Sequence, residues 1–213
     1  MRFFKVMGIV LFIFCIANVN AKATDFSKAI YYDLPEDYLS QKIGRIPVSQ
    51  LTAEDSTSIA TYQFDADTLR VLAIMVDWTN RQGTYSRETF DSMFFSRDVY
   101  PGGSVADYFH EVSYGKINIA GDVIDWYDAG TYSGWMDMPD ILEQLDPYVD
   151  YSQYDGDNDG NVDAVVFIRS GTGQEMTHDP IDIWSYAMVY PLGSGPGPYD
   201  GVRVPRFNTA PEL

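Results

Sequence analysis

Thiols and imidazoles are nearly absent from this chain. Cys15 is its one cysteine, and His110 and His178 are its two histidines. No disulfide can form within the chain. Cys15 lies in the apolar stretch Val6–Ile16, "VMGIVLFIFCI". A membrane-spanning helix needs about 20 apolar residues, so this run is too short to span. Arg2 and Lys5 flank it, Val19 and Ala21 are small residues at cleavage offsets, and the chain turns polar directly after Ala21. Residues 1–21 read as a secretory signal peptide, which predicts a secreted product, extracellular or periplasmic, with no membrane attachment once the signal is removed. Phe12-Ile13-Phe14 before Cys15 lacks the small residues of a lipoprotein site. The mature chain then has no thiol, and something other than a disulfide must stiffen its loops.

Positive charge is scarce too. Lys and Arg total 14 against 31 Asp and Glu, a net charge of −17. Cleavage after Ala21 removes Arg2 and Lys5 and no acid, which takes the net charge from −17 to −19. Such a surface repels phosphate backbones and anionic lipid, which argues against nucleic acid as a partner. It suits divalent cations. The 16 Tyr, 12 Phe and 4 Trp exclude a disordered chain, and the length allows one ordinary domain with a real core.

Residues 22–68 carry little pattern. They read as an N-terminal extension or propeptide-like segment, or as an irregular lead-in packed on the domain. From about residue 69 the pattern sharpens. "VLAIMV" (71–76) and "DAVVFI" (163–168) are continuous apolar runs of strand length, expected to be buried on both faces. Residues 86–95 place Phe90, Met93 and Phe94 on one helical face. Ser104 with Asp107 reads as a capped helix start. Residues 116–119 alternate as a strand, Gly121-Asp122 offers a turn, and Val123-Ile124 resumes. Pro139 opens a short helix with Met138, Ile141, Leu142 and Leu145 on one side. "PLGSGPGPYDG" is a loop, and Val202 and Val204 suggest a last strand.

"FHEVSY" (109–114) is one residue away from H-E-x-x-H, the helical zinc motif in which Glu acts as base. Tyr114 stands where the second His would be, and its proton leaves only near pH 10. Val105, Tyr108, Phe109 and Val112 form the expected buried stripe, so His110 and Tyr114 face away from it. A surface His beside a surface Glu is the expectation.

The strongest chemical signal is Asp155-Gly156-Asp157-Asn158-Asp159-Gly160-Asn161-Val162-Asp163. Calcium takes about six to eight oxygens from a flexible loop. Alternate carboxylates of Asp155, Asp157 and Asp159 can converge on one point, and Gly160 permits the sharp turn. Asn161 offers its backbone carbonyl, and Asp163 contributes directly or through water. Position twelve, where an EF-hand has its bidentate Glu, is Val166, so a further ligand comes from Asp150 or water. The alternatives are a solvated acidic turn and a catalytic carboxylate pair. The latter is disfavoured by the close, regular spacing.

Together, "VLAIMVDW", "GGSVADYFHEVSYGKINIAGDV", "VDYSQYDGDNDGNVDAVVFIRSGTGQE" and "DIWSYAM" resemble the immune inhibitor A-like family of secreted zinc metallopeptidases (peptidase family M-six). The resemblance covers residues 69–213. It implies an α+β fold: a zincin-like N-terminal subdomain with a twisted mixed β-sheet and packed helices, incomplete at the C-terminus. It also implies that zinc activates water for peptide-bond hydrolysis. The family's H-E-x-x-H follows a segment like "GVRVPRFNTAPEL", so its zinc ligands and general base have no matching positions here. "FHEVSY" falls on an earlier helix-and-turn element. Tyr186 departs from the pattern, since relatives often carry His there.

Two functional expectations follow. One is the N-terminal portion of a secreted zinc metalloendopeptidase, inactive alone, with a protein or peptide substrate when completed. The other is a non-enzymatic secreted module that uses calcium to fix a binding surface. Tyr127, Tyr132, Trp135, Tyr190 and Tyr199 would then contact glycans or protein. Ordinary packing is the simpler role for most of these, with Trp135 the best exception in its Gly-flanked loop.

Overall fold

The two apolar runs form the middle of a sheet. In the computed structural model, which describes residues 68–191 and 193–213, β1 (Thr68–Asp77) lies parallel to β3 (Ala164–Arg169). β3 is buried at every position and β1 from Val71 onward. Strands that are apolar on both faces must be covered on both, and these are. β2 (Asn118–Asp128) adds to the other side of β1 in parallel. β5 (Arg206–Pro211) adds in parallel to β3, and β4 (Tyr186–Val189) runs antiparallel beside β5 at the edge. The order is β2-β1-β3-β5-β4. With its helices, this mixed five-stranded sheet is an α+β fold. The expected signal peptide and nearly all of the expected N-terminal extension lie outside the described residues.

Helix α1 (Arg87–Phe95) buries Phe90, Met93 and Phe94, as its periodicity predicts. Helix α2 (Val105–Val112) begins with a full capping box. The Ser104 hydroxyl accepts the Asp107 N–H at 2.9 Å, and the Asp107 carboxylate accepts the Ser104 N–H at 3.0 Å. Both helices pack on β2. Helix α3 (Met138–Leu145) sends Met138, Ile141, Leu142 and Leu145 into a core shared with Leu72, Ile74, Phe167 and Phe207. A short α4 (Gln174–Thr177) follows β3. Among the described residues no helix is long and apolar enough to cross a membrane.

Several expectations need correction. Gly121-Asp122 is no turn, for β2 runs straight through it. A Cβ on Gly121 would lie 1.8 Å from the Val71 carbonyl oxygen, so glycine is there to let β1 come close. The last strand is not at Val202 and Val204. Those two are buried, and Val202 makes an isolated bridge with Tyr199, but the strand itself is Arg206–Pro211. On α2 the buried residues are Val105, Ala106 and Phe109, while Tyr108 and Val112 are exposed. The stripe is narrower than the sequence suggests, and among the described residues α2 packs chiefly on β2 and α1. Tyr127, Tyr132, Tyr190 and Tyr199 are half-buried against the core, whereas Trp135 is 68% exposed. Tyr186 also packs on that core, and its hydroxyl meets Met138 Sδ at 3.8 Å.

Candidate metal centre

The acidic loop hangs between two anchors. A 3-10 turn, Tyr151–Tyr154, precedes it, and β3 follows. Tyr151 is fully buried and its hydroxyl donates to the Leu142 carbonyl at 2.9 Å. Tyr154 donates to the Asp122 carboxylate at 3.0 Å. The chain between them must reverse within a few residues, and it does so through positive φ at Asn158 (59°) and Gly160 (84°). Asparagine and glycine tolerate that region best.

The reversal turns backbone N–H groups toward the carboxylates. Asp155 accepts from the Asp159 and Gly160 amides, each at 3.0 Å, and Asp157 accepts from the Asp159 amide at 3.2 Å. Carboxylate oxygens of Asp155, Asp157 and Asp159 thereby come within 4.8 Å of one another. All three are partly or fully exposed, and all donor atoms are oxygen. That set suits a hard cation rather than a soft one.

The other expected ligands sit differently. Asn161 turns its side-chain amide onto Asp159 at 3.0 Å. Asp163 is buried and points to the base of the loop. Its Oδ2 accepts the Arg70 N–H at 2.8 Å and its Oδ1 the Gly156 N–H at 3.1 Å. Asp150 caps the 3-10 turn, accepting from the Ser152 amide at 3.1 Å and the Gln153 side chain at 3.1 Å. The structure thus gathers three of the five residues around one point and uses Asp163 as a brace. Burial pushes the Asp163 carboxyl up to about 7, against the pull of the Arg70 and Gly156 amides and with help from Asp157 and Asp155. A cation among those aspartates would relieve the last two causes.

The histidines make no zinc site. His110 is half-buried on α2, with Nδ1 enclosed and without a hydrogen-bond partner. The expected surface His is therefore partly tucked in, close to Gly115, whose N–H donates to the His110 carbonyl at 2.7 Å. Glu111 is exposed and Tyr114 is 93% exposed. His178 ends α4 in the left-handed region and is exposed. Among the described residues, neither histidine belongs to a group of three ligating side chains. The residues present do not fit zinc.

A second polar cluster went unread in the sequence. It lies at the carboxyl ends of the parallel strands, where open sheets place their crevices. Buried Arg169 donates to Thr209 Oγ1 and the Ile183 carbonyl, each at 2.7 Å, and burial brings its pKa down to about 10. Arg81 pairs with Asp182 at 2.5 Å and lies over the Tyr132 ring. The Ser185 hydroxyl donates to Glu175. Glu212 is buried and accepts from the Thr84, Tyr85 and Gly171 amides at 2.9, 3.2 and 2.8 Å. Charged residues just after each apolar run, in "VDW" and "IRSG", were the available signal. The groups satisfy one another, which makes the cluster a set of struts.

No family model matches this chain, and no curated protein matches it significantly.

Proposed function

We propose that this chain is the N-terminal portion of a secreted zinc metalloendopeptidase, stiffened by one calcium ion and inactive by itself. The observation that carries the reading is the convergence of Asp155, Asp157 and Asp159 immediately before the buried β3, inside the longest segment of family resemblance. The remaining resembling segments fall on β1, on α2 with β2, and on the run into β4. Zincins bind extended substrate along an edge strand. β4 ends the sheet, runs antiparallel to β5, and exposes Ala187, Met188 and Val189. The family's zinc ligands have no counterpart in these residues, so hydrolysis is not expected from them.

The test is calorimetric titration of the purified chain with calcium, alongside peptide hydrolysis assays with and without zinc. Calcium binding at one site per chain, and no hydrolysis, is the expected result. Zinc-dependent cleavage by this chain would overturn the inactive assignment, and no heat with calcium would overturn the metal assignment.

A non-enzymatic calcium-stabilised binding module is the second reading, favoured by one observation. Trp135 stands 68% exposed. A glycan or protein whose binding quenches its fluorescence and is lost in Trp135→Ala would favour that reading.

A further inference from the structure

The sheet has two edges, β2 and β4, and they are built differently. β2 carries exposed Asp122, Asp125 and Asp128, and its register with β1 shifts between Ile74 and Val76. Charge and irregularity keep an edge from pairing with another chain. β4 has neither. Its register with β5 is unbroken, and Ala187, Met188 and Val189 are exposed. Residues 183–199 include no Asp, Glu, Lys or Arg, in a chain of net charge −17. The Tyr190 N–H donates to the Pro205 carbonyl at 2.7 Å. Backbone groups alternate in direction along an antiparallel pair, so Met188 and Tyr186 also turn theirs toward β5. Ala187 and Val189 turn theirs outward. Among the described residues, these two N–H and two C=O groups have no partner.

We propose that β4 pairs with β4 of a second copy of this chain, antiparallel across a two-fold axis at Met188. Ala187 then lies opposite the partner's Val189, and Val189 opposite the partner's Ala187. Each such pair exchanges two hydrogen bonds, which satisfies every outward group of both strands. Met188 meets the partner's Met188 with Cα atoms about 4.5 Å apart. Neighbouring registers do worse. One sets Val189 against Ser185, whose N–H is already given to Glu175 at 3.3 Å. The other sets Ala187 against Pro191, which has no N–H. Symmetry and charge favour a second copy as the occupant. The contact is isologous, so one segment supplies both sides. Two chains of net charge −17 repel, and the uncharged run lets them approach at least cost. Exposed Trp184, Met188 and Val189 lose water as they meet. The strand is short, so the dimer is weak. The pairing stands on the strand itself and not on the peptidase reading, and it closes the edge that this reading gives to substrate.

The experiment is sedimentation equilibrium of the full chain, carrying Cys15→Ser, at concentrations up to about 0.5 mM. A monomer–dimer equilibrium is expected, and it should tighten as added salt screens the like net charges. Met188→Lys sets two cations face to face on the axis and should weaken dimerisation by about tenfold or more. Met176→Lys adds the same charge at an exposed position on α4 and should not weaken it. Cross-linking reads the register independently. Met188→Cys, exposed to oxidised glutathione, should form a disulfide-linked dimer, because its Cα spacing lies within disulfide range. Met176→Cys should form none. A monomer at every concentration would overturn the proposal. A dimer that Met188→Lys leaves intact, or that Met188→Cys fails to link, would overturn it too, for the two copies would then meet elsewhere.

Discussion

Asp163 reaches across 93 positions of sequence to accept the backbone N–H of Arg70 at 2.8 Å. The end of the acidic loop is thereby fixed to the start of β1. Its second oxygen holds the Gly156 N–H at the beginning of the same loop. Asn at this position keeps the shape but only one acceptor, and its NH2 would face an N–H. One part-buried donor is left without its acceptor, at a cost of about 1 kcal/mol, the low end for an unmade hydrogen bond. Urea unfolding of Asp163→Asn in chelator should show that loss. An unchanged midpoint would mean that the two amides find water instead.

Gly156 is the other half of that brace. A Cβ there would meet Asp163 Oδ2 at 2.6 Å and the Thr68 carbonyl oxygen at 2.9 Å. The second atom is backbone and cannot swing aside. Gly156→Ala should therefore destabilise by about 1–3 kcal/mol, the ordinary range for overpacking. It should also weaken calcium binding, since Asp155 and Asp157 flank it. Chemical denaturation and calcium calorimetry on the same variant would separate an unstable fold from a displaced loop.

The raised pKa of Asp163 sets a direction for pH dependence. Its carboxyl titrates near 7 in the folded chain and near 3.9 when unfolded. Between those values the folded chain holds a proton that the unfolded chain has released. Metal-free stability should therefore fall as pH rises from about 4 to about 7, and level off above. Asp107 and Asp182, whose pKa values are held down, act below this window. Midpoints measured in chelator from pH 4 to 8 should slope downward in the unsubstituted chain more than in Asp163→Asn. Parallel slopes would show that Asp163 ionises normally.

Removing one charge from the triad should have opposite effects in the two metal states. Asp157→Asn relieves repulsion with Asp155 and Asp159, so in chelator the variant should be as stable as the parent or slightly more. At 100 times the parent's Kd, calcium adds about 2.7 kcal/mol to the parent. The variant, short of one anionic ligand, should gain much less. Thermal unfolding with and without calcium reads both signs. A variant that loses stability equally in both conditions would mark Asp157 as a turn-builder rather than a ligand.

The sheet's centre was legible because β1 and β3 are uninterrupted apolar runs, and such runs have few alternatives to a buried strand. α1 and α3 were legible from the spacing of Phe90, Met93 and Phe94 and of Ile141, Leu142 and Leu145. β5 was hidden because "RFNTAP" has no apolar alternation. Arg206, Asn208 and Thr209 are buried there, a placement that only the neighbouring strands decide. Gly121 looked like a turn because a glycine's close approach to another strand leaves no mark in its own sequence neighbourhood. Within the acidic loop, spacing correctly grouped the 155, 157 and 159 carboxylates. It could not show that Asp163 turns toward Arg70, since that partner lies in a different element.

Glu212 is the strut for which sequence gave no hint, and it supports a definite expectation. Its two oxygens hold three backbone amides, from Thr84 and Tyr85 after β1 and from Gly171 after β3. Gln would keep one acceptor oxygen and turn an NH2 toward at least one of those amides. Against this, the substitution removes a negative charge near Asp77. That carboxyl is raised chiefly by burial, with Asp128 and then Glu212 as lesser causes, opposed by the Gly83 amide. The electrostatic relief is thus the smaller effect, and the unpaired amides decide the sign. Glu212→Gln should destabilise by about 1–3 kcal/mol in urea unfolding. Exchange of the Gly171 and Thr84 amides should quicken more than exchange in β2, which Glu212 does not touch. A uniform change across the sheet would show that Glu212 contributes to global stability without acting as the local tie between these loops.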